Sequence, residues 1–239
     1  MALDILITII LTATVQSLFG TGVLMLGTPI LLILGYDFQN TLLILLPTSI
    51  LINLFQLNGN LQEIDKRFFI KLLFLSIPPI SFFLYFNNLF SINLNLFMGI
   101  FLIMISLKTK ISLIEKMIEK FIKNENFFLV IMGIIHGITN LGGALLSIIV
   151  FSKKLSKKNK RSTIAICYLT FAIFQLSTLT IMLGNYDYFN SINFIYWIIG
   201  LVIFFLVEKF LYVQFNDKNY IYYSNFFILV LGLALILKR

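Results

Sequence analysis

The sequence predicts an all-α integral membrane protein of two inverted repeats, each a re-entrant broken helical segment followed by three transmembrane helices. Three observations lead to this expectation. Of 239 residues, 59% are hydrophobic and 12% are charged, whereas a soluble globule has roughly 25% charged residues. Two long apolar runs, about 120 residues apart, are each interrupted by glycines with polar neighbours. The lysines and arginines gather in a few loops that one face of a bilayer can hold.

The first run covers residues 3–34, more than the roughly 20 residues that span a bilayer and too few for two spans with a turn. It has to break. Gly20, Gly22, Gly27 and Pro29 provide the place, because glycine permits unwound backbone and proline leaves a carbonyl one turn back without its donor. Apolar runs at about 41–57, 68–86 and 93–107 follow and are read as spans, the first kinked at Pro47. The second broken run, 127–151, contains His136-Gly137-Ile138-Thr139-Asn140-Leu141-Gly142-Gly143. Runs at about 162–183, 192–207 and 220–237 complete it, with Gly184-Asn185 as a helix breaker. Behind each break the same landmarks recur in order: Phe55-Gln56-Leu57 and Phe174-Gln175-Leu176, Phe82-Phe83-Leu84 and Phe204-Phe205-Leu206, Gly99 and Gly232. This pattern indicates a duplication, with a first membrane repeat at 1–108, a connector at 109–124 and a second repeat at 125–239.

The basic residues choose between topologies. They fall as Lys66, Arg67 and Lys71; Lys108, Lys110, Lys116, Lys120 and Lys123; Lys153, Lys154, Lys157, Lys158, Lys160 and Arg161; Lys209 and Lys218; and Lys238 with Arg239. If both broken segments crossed the membrane, the two faces would hold ten and eight of these 18 residues, which gives no orientation. If both enter and leave on one side, sixteen share a face, which the positive-inside rule reads as cytoplasm. Each half then has three crossings, and an odd number inverts the second half against the first. A seven-span form with Met1 in the cytoplasm has the same split; repeat symmetry favours the hairpin.

In the connector, Ile111, Ile114, Ile118, Phe121 and Ile122 recur at helical spacing opposite Lys116, Glu119, Lys120 and Lys123. The expectation is a cytoplasmic amphipathic helix that binds anionic headgroups, against the alternative of a solvated linker. Tyr186, Tyr188, Tyr220, Tyr222, Tyr223 and Trp197 lie near segment ends, as an aromatic belt does. The net charge of +8 is accounted for by topology, so no nucleic-acid partner is expected. The lone Cys167 gives no internal disulfide and is read as a small buried apolar residue, and no metal site or cofactor is expected. Residues 1–4 lack a basic leader region, so the first segment is expected to remain in the mature chain.

No acidic or basic residue lies deep in an apolar run, so a charged substrate would have to be held without a full countercharge. Helix N-termini can do this, since their free N–H groups and positive dipole end face an anion. Both breaks supply one, and an inverted repeat would bring the two tips together near the midplane. The candidate substrate-binding residues are Gln16, Gly20, Thr21, Gly22 and Gln56 in the first half. His136, Thr139, Asn140, Gly142, Gly143 and Gln175 are those of the second. Each has a structural alternative: close helix packing for the glycines, interhelical hydrogen bonding for the glutamines, and a structural hydrogen bond for His136. Enzymatic function is not expected, because no apolar run contains an aspartate pair and no Gly-x-Ser-x-Gly elbow accompanies the single histidine.

With Phe19-Gly20-Thr21-Gly22 followed by Pro29, and with His136 through Leu146, the chain resembles the TauE/SafE sulfite exporter family, also called the toluene-sulfonate uptake permeases, over essentially its whole length. The resemblance implies a multi-pass permease of the cell (plasma) membrane for sulfite, thiosulfate or a small organosulfonate. Its partners would be a small anionic substrate and the lipid bilayer, and a homo-oligomer is compatible with the sequence. The residues by themselves leave open a transporter or channel for another small solute.

Overall fold

A computed structural model describes residues 2–87, 93–108, 110–184, 191–211 and 217–238; at residues 19, 211 and 217–224 the description is confined to the backbone. Among the described residues the chain forms α1 (Leu3–Phe19), α2 (Val23–Leu34), α3 (Phe38–Leu57), α4 (Lys66–Tyr85), α5 (Leu94–Leu107) and α6 (Ser112–Lys123). It continues as α7 (Glu125–Thr139), α8 (Gly142–Ser152), α9 (Lys157–Leu183), α10 (Ser191–Leu211) and α11 (Asp217–Leu237), with one 3-10 turn at Leu61–Glu63 and no strand. Among the described residues four helices, α3, α4, α9 and α10, are long and apolar enough to cross a membrane by themselves. The protein is thus an all-helical, multi-pass membrane protein.

Several helices start where the sequence supplies a side-chain oxygen for a free N–H. Asp37 accepts from Asn40 N–H at α3, Asp65 from Phe68 at α4, Asn93 from Leu96 at α5, Asn124 from Phe127 at α7 and Ser156 from Asn159 at α9. Gly184 ends α9 in the left-handed conformation at φ 64°. The connector is helical over α6. Its Ile118 and Ile122 pack on the core while Leu113, Met117 and Phe121 stay exposed.

The two broken runs each double back. Tyr36, just past α2, donates its hydroxyl to Asp4 near the start of α1 at 2.9 Å. In the second run Lys153, just past α8, pairs with Glu125 at the start of α7 at 2.6 Å. The mouths lie at opposite ends of the molecule, because the 20 residues of α3, about 30 Å of helix, lead from Tyr36 to Asp65, which stands 4.0 Å from Lys153. At the Asp4 end, Ala2 N–H donates to the Tyr196 hydroxyl at 2.6 Å, and Lys238 donates to the Leu32 carbonyl. At the Glu125 end, Lys71 joins Glu125 at 2.7 Å and Lys158 pairs with Glu63 at 3.2 Å.

The helices pair across the two halves: α4 lies along α7, α1 along α10, α3 along α9 and α5 along α11. Glycines set these distances. A Cβ on Gly133 would stand 2.5 Å from the Ser76 carbonyl, and one on Gly137 2.7 Å from that of Ile80, so α7 and α4 touch backbone to backbone. Gly99 and Gly232, matched as repeat positions, face each other in the α5–α11 crossing, where a Cβ on Gly99 would meet the Gly232 carbonyl at 2.7 Å. Such small-residue seams replace the hydrophobic drive that lipid does not supply between helices.

One sequence expectation reads differently. Trp197 is buried and donates to the Ile44 carbonyl at 3.1 Å; it binds α10 to α3 instead of standing in an aromatic belt. Tyr186 and Tyr188, and the side chains of Tyr220, Tyr222 and Tyr223, lie outside the described residues. Cys167 is fully buried, as an apolar residue is.

Glu125 precedes the apolar run of α7. Burial pushes its carboxyl up, but the hydrogen bonds from Lys153 and Lys71 outweigh this and hold it below the ordinary carboxylate range. A carboxyl depressed by folding stabilises the native state above its unfolded pKa, and the contribution disappears as pH falls through the folded value. Glu125→Gln should therefore lower the melting temperature at neutral pH, by the equivalent of about 1 kcal/mol for a partly solvated cluster. Wild type and variant should converge in acid below the depressed carboxyl pKa, which thermal melts across a pH series would check.

Candidate functional site

At the first break α1 ends on Gly20 in the left-handed conformation, φ 77°, its N–H donating to the Gln16 carbonyl at 2.7 Å. The new helix starts at Val23, whose N–H would be unpaired among apolar side chains. Gln16 reaches across and accepts it through Oε1 at 3.0 Å. The other end of that amide donates to Asn53 Oδ1 on α3 at 3.4 Å, and Asn53 donates in turn to the Ser49 carbonyl at 2.7 Å. A Cβ on Gly22 would stand 2.6 Å from Gln16 N and from the Thr12 carbonyl, so this glycine lets the second arm press on the first. Gly20 is roomier: a Cβ there would lie 3.5 Å from both Gln56 Nε2 and Arg161 Cγ.

The second break is built alike. Asn140 takes the left-handed position with φ 61°, the one non-glycine among the described residues to do so, and its N–H donates to the His136 carbonyl at 2.8 Å. Asparagine adopts this conformation more readily than other side-chain-bearing residues. Thr139 Oγ1 accepts from Leu141 N–H at 3.1 Å, the service that Gln16 performs in the first hairpin. Gly142 allows the close approach of the arms, since a Cβ would meet His136 Cβ at 2.5 Å, and a Cβ on Gly143 would collide with the Tyr168 hydroxyl. The His136 ring lies 4.6 Å from that of Phe171 and beside the Gln175 amide.

The structure thus brings Gln16, Gly20, Gly22 and Gln56 together at one break, with Thr21 buried beside them. His136, Thr139, Asn140, Gly142, Gly143 and Gln175 gather at the other. The tips do not face each other as expected. Asn140 Nδ2 donates to Thr28 Oγ1 at 2.8 Å, which places the second tip against the middle of α2, six residues past Gly22. Each arm is long enough to carry its tip beyond the other, so the polar groups form two clusters. At Gly22, Gly142 and Gly143 the vacated Cβ position is taken by protein, whereas at Gly20 a Cβ would make ordinary van der Waals contacts.

Several polar atoms in the clusters have no hydrogen-bond partner although they are buried. These are Ser17 Oγ and both amide atoms of Gln56 at the first break and Asn140 Oδ1 at the second, where the His136 ring and the Gln175 amide have no partner but each other. Buried polar groups are almost always paired, and leaving one unpaired costs about 1–3 kcal/mol. These atoms are concentrated at equivalent places in both hairpins. No group of metal-ligating side chains occurs among the described residues.

The sequence reading missed Arg161, which counted only as a basic loop residue. It lies in the second turn of α9, its side chain 14% exposed and paired with Glu208 of α10 at 2.7 Å, and its Nη2 donates to the Ser17 carbonyl at 3.0 Å. A full positive charge therefore does reach the first break. The available signal was that Arg161 is the last charge before one apolar run and Glu208 the last acid at the end of another.

A family model described as Sulfite exporter TauE/SafE matches residues 5–237. Comparison with curated proteins and with solved structures gave no match.

The contact at Gly143 makes a direct prediction. Gly143→Ala should destabilise the protein by roughly 1–3 kcal/mol through overpacking. Tyr168→Phe in the same background should recover part of that loss, because the hydroxyl is the nearest obstacle; melting temperatures of the single and double variants in detergent would check it.

Proposed function

Because the chain belongs to the TauE/SafE sulfite exporter family, membrane transporters of sulfur anions at family level, we propose that it is a permease for a small sulfur-containing anion such as sulfite, thiosulfate or a small organosulfonate. The single observation that carries the site is the set of buried amide and imidazole atoms at the two breaks that have no partner outside their own cluster. Gln56, His136, Asn140 and Gln175 offer side-chain contacts to the anion, and Gly20 with Thr21 offers backbone. Gln16, Gly22, Thr139, Gly142 and Gly143 hold the breaks in the shape that presents them.

The two halves, 1–108 and 125–239 around the connector 109–124, form inverted repeats in this reading, and transport proceeds by alternating access. Support comes from hairpin mouths at opposite ends of the molecule and from helix pairings that exchange halves, α1 with α10 and α4 with α7. Both hairpins are re-entrant, and the Glu125 end, which gathers most of the basic residues, faces the cytoplasm across a cell membrane. The amphipathic α6 lies on that surface.

Two measurements test this. Detergent-purified protein screened against sulfite, thiosulfate, sulfoacetate, taurine, sulfate and chloride at matched ionic strength should be stabilised by a sulfur anion. The gain is about 2.7 kcal/mol at a hundred times the dissociation constant, and Asn140→Ala should diminish it. No stabilisation by any of them would reject the sulfur-anion assignment. In intact cells, a cysteine at position 2 should label from outside and one at position 116 should not; protection of position 2 would reject the inverted arrangement.

A further inference from the structure

We propose that Arg161 is the counter-ion of the transported anion at the first break, and that Glu208 occupies the guanidinium between transport events and is displaced when the anion binds. The inference rests on the permease reading and assigns a charge to it. Arg161 stands beside Gly20, where a Cβ would lie in ordinary van der Waals contact, 3.5 Å from Arg161 Cγ and equally far from Gln56 Nε2. The Gln56 amide and the Ser17 hydroxyl are buried there without hydrogen-bond partners, while Arg161 Nη2 holds the Ser17 carbonyl at 3.0 Å. An oxyanion in the place of the Glu208 carboxylate would meet the Arg161 guanidinium, which already reaches the break that holds the Gln56 amide and the Ser17 hydroxyl.

Which partner moves follows from solvation. The Glu208 side chain is 31% exposed and that of Arg161 14%, so the carboxylate can return to water at modest cost, whereas a buried guanidinium left alone is costly. Arginine suits the task because its planar fork binds an oxyanion through two parallel N–H donors, a geometry lysine does not reproduce. Placement helps as well. The pair lies toward the end that holds most of the basic residues, whose field concentrates anions near it. The cluster around His136, Gln175 and Asn140 is formed by neutral polar groups, so the two breaks would differ in strength of anion binding.

The test is uptake of radiolabelled thiosulfate, with sulfite in parallel, into proteoliposomes containing the full-length protein. Arg161→Gln should lower kcat/KM at least about tenfold, and Arg161→Lys should recover part of it. Glu208→Gln removes the internal competitor and should lower KM roughly threefold to tenfold, the opposite of what loss of a structural ion pair does. The double variant R161Q/E208Q leaves no unpaired buried charge; it should elute as folded protein and transport no better than Arg161→Gln. An unchanged or raised KM in Glu208→Gln, or wild-type transport by the double variant, would overturn the role of Arg161 while leaving the permease reading intact. Failure of the wild type to move either anion would overturn both.

Discussion

Unwound backbone surrounded by apolar side chains has to find hydrogen-bond partners close by, because lipid supplies none. Both hairpins depend on this constraint and meet it by different chemistry. In the first, the Gln16 amide spans the gap to Val23 N–H; in the second, Thr139 accepts from Leu141 N–H. A left-handed residue, Gly20 or Asn140, turns the chain in each. Once the turn is satisfied, the second arm runs back along the first. The mouths can then be closed by Tyr36 on Asp4 and by Lys153 on Glu125.

Lipid as solvent also explains the distribution of side chains. Phe74, Ile181 and Leu237 are among the most exposed residues, while Thr48, Ser49, Asn53 and Gln175 are fully buried. Apolar surface faces outward at no cost in hydrocarbon, and polar groups retreat to the interior where other polar groups and close backbone contacts await them. The glycine seams between α4 and α7 and between α5 and α11 follow from the same physics, since only close approach gives dispersion and weak polar contacts enough strength to hold helices together.

The polar interior is unevenly satisfied. Asn53 and Thr28 are committed to hydrogen bonds across elements, whereas the Gln56 amide is not. Arg161 adds a charge neutralised within the fold, at a position where the neutralising carboxylate is the better hydrated member of the pair.

Composition, the glycine-broken runs and the basic loops sufficed to define a helical membrane protein, its helix boundaries to within a few residues and the location of both breaks. These are local properties: cap residues, apolar run length and glycine placement act over a few residues of chain. The residues around each break, from Gln16 to Gln56 and from His136 to Gln175, were legible for the same reason, as polar groups with no local purpose in an apolar run. Tertiary structure alone decided how the tips lie against each other, with Asn140 on Thr28, because that depends on the depth each arm reaches. It also decided the burial of Trp197 against Ile44 and the reach of Arg161 to Ser17 and Glu208, 144 residues back and 47 residues on. A long charged side chain at a helix end can extend into solvent or fold back into the protein, and only the packing of α1, α9 and α10 determines which.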